Sequence, residues 1–303
     1  MDIPAESGQE RYPSIEPAEK GDRVLIVAPH MDDEAIGAGA YALDAIRAGA
    51  DVFVAFLTAG DCARFSARLL HRRVLLTPDD YLAVGRTRIA EAGNAMRILG
   101  VPRDHRFILG YPDRGLRAIV EQPKLVIRST STQARAVPYL AALSPGAPHN
   151  FEHVVRDVQG ILALVRPTTV ITPVPFDMHP DHSAAAAIVD VAIDRLQLMP
   201  NRLGYLVHTS RFKPLVWMPE RALLPPLHMR SFQWATYAVS DEAQRVKVSM
   251  LEAYRSQRPY TYFLRNAFLR RNELFFAYTT ETVHVARAVT SFACAPYSPP
   301  SSL

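Results

Sequence analysis

The sequence predicts an α/β fold, a mostly parallel sheet with helices on both faces, and three observations carry that prediction. Short apolar runs alternate with amphipathic stretches of helical period along most of the chain. The first two runs are joined by a helix-length crossover, which parallel neighbours require. Two clusters of acidic residues and histidines directly follow apolar runs, at the strand ends where open α/β sheets bind ligands.

Taken in order, "RVLIVAP" (23–29) and "DVFVAFLT" (51–58) read as buried strands, and 33–49 as the helix between them, which makes one βαβ unit. "RTRIAEAGNAMRILG" (86–100) reads as a helix closed by Gly100 and followed by Pro102, with a short strand "RFILG" at 106–110. A helix is expected over 151–167, a buried strand over 168–175, an Ala-rich helix over 182–198 and a later strand "LGYLVHT" over 203–209. Two stretches, 112–150 and the Pro-rich 210–240, look irregular, and loops that long in a compact domain usually form lids or binding loops. The expected organisation is a polar N-terminal extension (1–22), a single domain (23–294) and a disordered tail (295–303). No internal repeat interrupts it.

The chain has 303 residues, 49% hydrophobic and 21% charged, which excludes a disordered or fibrous protein. The net charge of +4 comes from scattered arginines rather than the basic blocks that track phosphates, so no nucleic-acid partner is expected. Cys62 and Cys294 form neither a zinc-finger spacing nor a disulfide framework. The N-terminal stretch lacks the apolar core of a signal peptide, and no run reaches the roughly 18 apolar residues of a membrane span, so a cytoplasmic setting with no integral membrane segment is expected. Homo-oligomerisation stays open.

In "APHMDDEAIGAGA" (28–40), His30, Asp32, Asp33 and Glu34 crowd one strand end. Such a turn repels anions and attracts a cation, although acids in a first helical turn also complement the helix dipole. "PFDMHPDHSAA" (175–185) supplies His179, Asp181 and His182 at the equivalent place after the 168–175 strand. Two histidines and one carboxylate with a position left open make a catalytic zinc set, since structural sites close with four ligands rich in Cys. A mononuclear iron site uses the same ligand types, so Fe(2+) stays beside Zn(2+).

With both motifs in view, "PHMDDE" and "HPDH" resemble the signatures of the PIG-L/LmbE-like family of zinc-dependent N-acetylglucosaminyl deacetylases. "FLTAGD" (56–61), "RTRIAEAGNAMRILGV" (86–101), "LGYPDRGL" (109–116), "KVSMLEAYRSQ" (247–257) and "NELFF" (272–276) are similar to further segments of that family, so the likeness extends over most of the chain. One position departs from the family pattern: Met31 stands where a proline is usual. The resemblance implies a Rossmann-like fold and removal of the acetyl group from an amino sugar in a glycolipid, thiol precursor or antibiotic. By position it implies His30, Asp33 and His182 as metal ligands and Asp32 as the general base that takes a proton from the attacking water. It implies His179 as oxyanion stabiliser or proton donor to the leaving amine, with Asp181 orienting its ring, and Arg88 and Asp113 as contacts to sugar hydroxyls. Arg88 also has a plainer reading, a surface cation paired with Glu91 one turn on.

The implied partner is a small-molecule amino-sugar conjugate. An amidase for another acyl group of a natural-product intermediate and a catalytically silent sugar-binding member are the alternatives. Glu34 and Asp177 flank the ligands, Tyr254, Arg255 and Gln257 either close the pocket or form a solvated helix face, and the remaining histidines, His208 among them, read as ordinary. The basic residues Arg114, Arg117, Lys124, Arg128 and Arg135 of the lid-like segment suit an acidic or phosphorylated aglycone, or merely face solvent; the basic amphipathic "RFSARLLHRR" (64–73) suits an anionic substrate or a membrane surface, or is simply solvated.

Overall fold

The computed structural model describes residues 12–72, 74–209, 219–258, 262 and 267–278. Seven strands, β1 (Arg23–Ala28), β2 (Asp51–Thr58), β3 (Arg106–Tyr111), β4 (Thr169–Pro173), β5 (Asn201–Tyr205), β6 (Trp234–Ala238) and β7 (Asn272–Ala277), form one sheet in the order β3-β2-β1-β4-β5-β7-β6. The first five run parallel, and β7 is antiparallel to both of its neighbours. The order reverses between β1 and β4, which opens a crevice at the carboxyl ends of those two strands. The two sequence motifs follow β1 and β4.

Side chains alternate across the sheet, so successive residues of one strand feed two cores. Val24 and Ile26 of β1 and Val52, Val54 and Phe56 of β2 pack with α1 (Asp33–Arg47), α3 (Pro78–Leu99) and α7 (Asp241–Ala253). Leu25 and Val27 of β1 and Ala55 and Leu57 of β2 pack on the other face with α4 (Leu116–Glu121), α5 (Phe151–Val165) and α6 (Pro180–Arg195). Burial on both faces explains why these strands read as unbroken apolar runs. The short α2 (Arg64–His71) lies beside the site.

α1 is kinked at Ala38, and the backbone groups freed there are met by a buried ion pair. Glu273 accepts from Ala40 N and Tyr41 N, each at 2.9 Å, while Lys247 Nζ donates to Ile36 O at 2.8 Å and to Glu273 at 2.6 Å. Gly37 lets β5 pass close by: a Cβ there would sit 2.5 Å from the Tyr205 ring.

The structure departs from the sequence reading in several places. α3 begins at Pro78 rather than 86, because Thr77 caps it through a reciprocal pair with Asp80 and Pro78 occupies the first turn. β5 ends at Tyr205, so 206–209 form a loop. The 112–150 segment contains α4 and is tied down by bonds such as Ile127 N to His149 O (2.8 Å) and Val137 N to Ala147 O (2.9 Å). In the 210–240 stretch, 210–218 lie outside the described residues and 234–238 form β6. Part of the N-terminal extension joins the sheet, with Ile15 N donating to Thr236 O at 2.9 Å and Thr236 N to Pro13 O at 2.8 Å. Cys294 and the 295–303 tail lie outside the described residues. Among the described residues no helix is long and apolar enough to cross a membrane.

Candidate metal centre and active site

The chain leaves β1 through a turn in which Asp32 adopts a φ of 121°, a conformation that L residues rarely hold. Such a residue costs about 1–3 kcal/mol, which its surroundings must offset. Here Asp32 N donates to Glu34 Oε2 at 3.0 Å, and the buried Tyr254 hydroxyl donates to Glu34 Oε1 at 2.5 Å. The predicted flanking role of Glu34 therefore has a definite form: it fixes the turn.

One oxygen of Asp33 is the centre of the arrangement. Asp33 Oδ2 accepts from His30 N at 2.8 Å and lies 3.2 Å from His30 Nδ1 and 3.2 Å from His182 Nε2. Ligands at about 2.0–2.1 Å from a tetrahedral zinc ion stand roughly 3.3 Å apart, so this donor set fits such a cation. Ring nitrogens of His30, His179 and His182 also lie within 4.8 Å of one another.

Each of the two imidazoles has carboxylates behind it. His30 Nε2 is 3.2 Å from Asp181 and 3.4 Å from Asp113, and His182 Nδ1 is 3.2 Å from Asp177. Outer carboxylates of this kind orient metal-binding histidines and raise their basicity. Burial alone would lower the pKa of His182, but Asp33 and Asp177 outweigh it and raise it to about 9. His30 is likewise carried well above its ordinary value, against burial, by Asp113, Asp181 and Asp33. The same pairings overcome burial to hold Asp33 well below the usual carboxylate range and Asp113 at about 2. The pocket thus concentrates negative charge around two nitrogens that attract either protons or a cation.

Asp32 differs from its neighbours. Burial pushes its pKa up to about 7, against the pull of Arg88, with Asp33 adding to the rise. A buried carboxyl poised near neutrality suits a general base. The surface pairing of Arg88 with Glu91 does not form: Glu91 accepts from Ser256 N (2.8 Å) and Ser256 Oγ (2.7 Å). Arg88 is buried, donates to Gly60 O at 3.0 Å and to Met31 O, and stands 3.5 Å from Asp32. Met31 itself packs its side chain into the core and contributes its carbonyl to this contact.

His179 caps α6, with Nδ1 accepting from Asp181 N at 3.2 Å. Burial, reinforced by His30 and His182, lowers its pKa to about 4 and leaves it neutral. The expectation that the Asp181 carboxylate orients His179 is corrected. That carboxylate accepts from Arg114 N (2.6 Å) and Leu116 N (3.1 Å) and faces His30, because the loop after β3 brings those amides to it. Asp113 lines the pocket but is engaged by Cys62 N (2.9 Å) and His30.

The pocket wall also includes Arg64, Arg114, His208 and Gln257. Of the five basic residues in the lid-like segment only Arg114 lines it; Arg117, Lys124, Arg128 and Arg135 are exposed elsewhere. Tyr254 and Gln257 lie at the site as expected, whereas Arg255 is exposed. His208 was missed by sequence reasoning; its one signal was that it follows a strand ending on the same sheet edge.

Residues 25–193, more than half of the chain, match the family described as PIG-L, GlcNAc-PI de-N-acetylase. A 1D-myo-inositol 2-acetamido-2-deoxy-alpha-D-glucopyranoside deacetylase of Kineococcus radiotolerans is 32% identical over 189 residues, covering 60% of this chain and 47% of that protein. The chain spans about half the length of the curated relatives it matches. Among solved structures, the A40926 pseudoaglycone deacetylase is similar with a TM-score of 0.55 at 20% identity, covering 84% of this chain and 96% of that one. The N,N'-diacetylchitobiose deacetylase of Pyrococcus horikoshii has a TM-score of 0.51 at 18% identity, covering 84% and 82%. At that level of identity they share the fold, and on the family match this chain belongs to the PIG-L family.

Proposed function

We propose that the protein is a metal-dependent hydrolase that removes the N-acetyl group from an N-acetylated amino sugar or its conjugate, releasing acetate and a free amine. The observation that carries the reading is the convergence of His30 and His182 on one oxygen of Asp33, with the Asp32 carboxyl, poised near neutrality, on the adjoining residue. His30, Asp33 and His182 would hold the cation. Zn(2+) suits two imidazoles and a carboxylate with a position left open, and Fe(2+) accepts the same ligands. When bound, the cation supplies Lewis acidity, polarising the acetamide carbonyl and acidifying the attacking water.

Asp32 accepts a proton from that water as it adds to the carbonyl carbon. Arg88, at 3.5 Å, steadies the Asp32 carboxylate while it waits to do so. Because the Nδ1 of neutral His179 is an acceptor, its hydrogen sits on Nε2, which donates to the developing oxyanion. The C–N bond then breaks and Asp32 returns its proton to the departing amine. Asp177, Asp181 and Asp113 keep the two ligand rings oriented. Curated relatives named for a GlcNAc-inositol substrate support an amino-sugar conjugate as the partner. A reducing, cytoplasmic setting suits the free thiol of Cys62.

The test is release of primary amine by purified, metal-loaded protein from a panel of N-acetylglucosamine conjugates, the inositol conjugate included. Amine and acetate in equal amounts are expected. Protein that holds its metal yet releases amine from none of them contradicts the reading.

A further inference from the structure

His208 belongs to neither sequence motif, yet it forms part of the pocket wall beside His179. The loop after β5 fixes it to the loop after β4. His208 N donates to Asp177 Oδ2 at 3.1 Å, and its carbonyl accepts from Met178 N at 3.1 Å. Its ring stands 4.6 Å from that of His182 and 5.0 Å from that of His179. His208 Nδ1 is buried and makes no hydrogen bond of good geometry, with Asp177 Oδ1 the carboxylate oxygen beside it at 3.4 Å, although the side chain as a whole is 30% exposed. The open part of the ring is therefore not the part that carries Nδ1.

His179 and His208 present opposite faces to a substrate. A carboxylate oxygen repels a bare nitrogen lone pair, so the proximity of Asp177 Oδ1 favours the tautomer with its hydrogen on Nδ1, and in that tautomer Nε2 is an acceptor. His179 is the reverse, since its Nδ1 already accepts from Asp181 N. Among the described residues nothing engages His208 Nε2. An acceptor at that wall repels a carbonyl, carboxylate or phosphate oxygen and attracts an O–H.

Resting on the deacetylase reading, we propose that His208 is a substrate-binding residue whose Nε2 accepts a hydrogen bond from a hydroxyl of the amino sugar, next to the acetamide. It selects a hydroxylated ring at this wall over an anionic group.

The test compares wild type with His208→Phe, which keeps a ring but no acceptor, and His208→Gln, which keeps an acceptor. Substrates are an N-acetylglucosamine glycoside and its single-deoxy analogues. His208→Phe should raise KM about tenfold, the worth of one neutral hydrogen bond, and leave kcat within about twofold. His208→Gln should recover most of that loss. One deoxy analogue that wild type binds weakly should be bound by His208→Phe no worse than the parent glycoside. Independently of turnover, nitrogen NMR of metal-loaded wild type should show the Nδ1–H tautomer at His208. An Nε2–H tautomer, or a fall in kcat at unchanged KM in His208→Phe, overturns the proposal. A wild type that turns over no amino sugar sinks the deacetylase reading instead, and the tautomer still decides whether His208 offers an acceptor.

Discussion

Asp33 serves both imidazoles through one oxygen, so the proposed metal site rests on three residues that each depend on the other two. Removing His182 leaves the buried Asp33 and Asp177 facing each other's charge with no cation holder between them. His182→Ala should therefore fall from about one equivalent of divalent metal per chain to far less by elemental analysis. Equal metal in both proteins would remove His182 from the ligands. Both motifs were legible because each lies within a few consecutive residues at a strand end. Which carboxylate backs which histidine was not, because that depends on the spacing of β1, β3 and β4 in the sheet. Asp181 was for this reason assigned to its sequence neighbour His179 when its side chain faces His30, some 151 residues away in the chain. Arg88 shows the same limit: helical spacing offers it Glu91, and only the fold reveals Gly60, Met31 and Asp32 around it.

At the scale of elements, the site is a meeting of α3 with the loops after β1, β2, β3 and β4. Gly60, with a φ of +61°, lets the loop after β2 pass directly under the Arg88 guanidinium. A Cβ there would stand 2.3 Å from Arg88 Nη1, so the guanidinium must leave its present place beside Gly60 and Asp32. Gly60→Ala is expected to lower kcat/KM about tenfold or more, since small misplacements at a catalytic group are costly. Its metal content should stay at the wild-type level; unchanged kcat/KM would show that Arg88 does not need this position. The central strands were readable as apolar runs because both their faces are buried, and the crossover between β1 and β2 followed from its length. α3 starts eight residues before the predicted 86, because the reciprocal Thr77–Asp80 cap sets its first turn ahead of the apolar periodicity. β6 and β7 escaped because both are short and antiparallel, the edge strand β6 lies in a Pro-rich stretch, and β7 beside it opens on the polar Asn272 and Glu273.

For the molecule as a whole, the crowded carboxylates and histidines tie stability to pH and metal together. Asp32 and Glu34 have pKa values raised by burial, to about 7 and about 8. Between their unfolded values near 4 and these, the folded chain keeps protons that the unfolded chain releases, so stability falls as pH rises. His182 has the same sign: its contribution is full below about 6.5 and is lost as pH climbs through about 9. A cation on the proposed ligands competes with the proton on His182, and its stabilisation grows with pH as that competition fades. The Tm gap between metal-loaded and metal-free protein should widen from about pH 6 to about pH 9; a gap that narrows contradicts the shared site. The two-core sheet and the placement of both motifs at its switch point were foreseeable from the chain, whereas the balance of charge in the pocket arises only when five segments converge. The central claim, that one aspartate holds the metal while its neighbour moves the proton, is tested most directly by Asp32→Asn, with metal content and amine release measured on the same sample. The account predicts about one equivalent of metal retained and turnover reduced roughly 10²–10⁴-fold. Turnover near that of wild type, or loss of the metal, would contradict it.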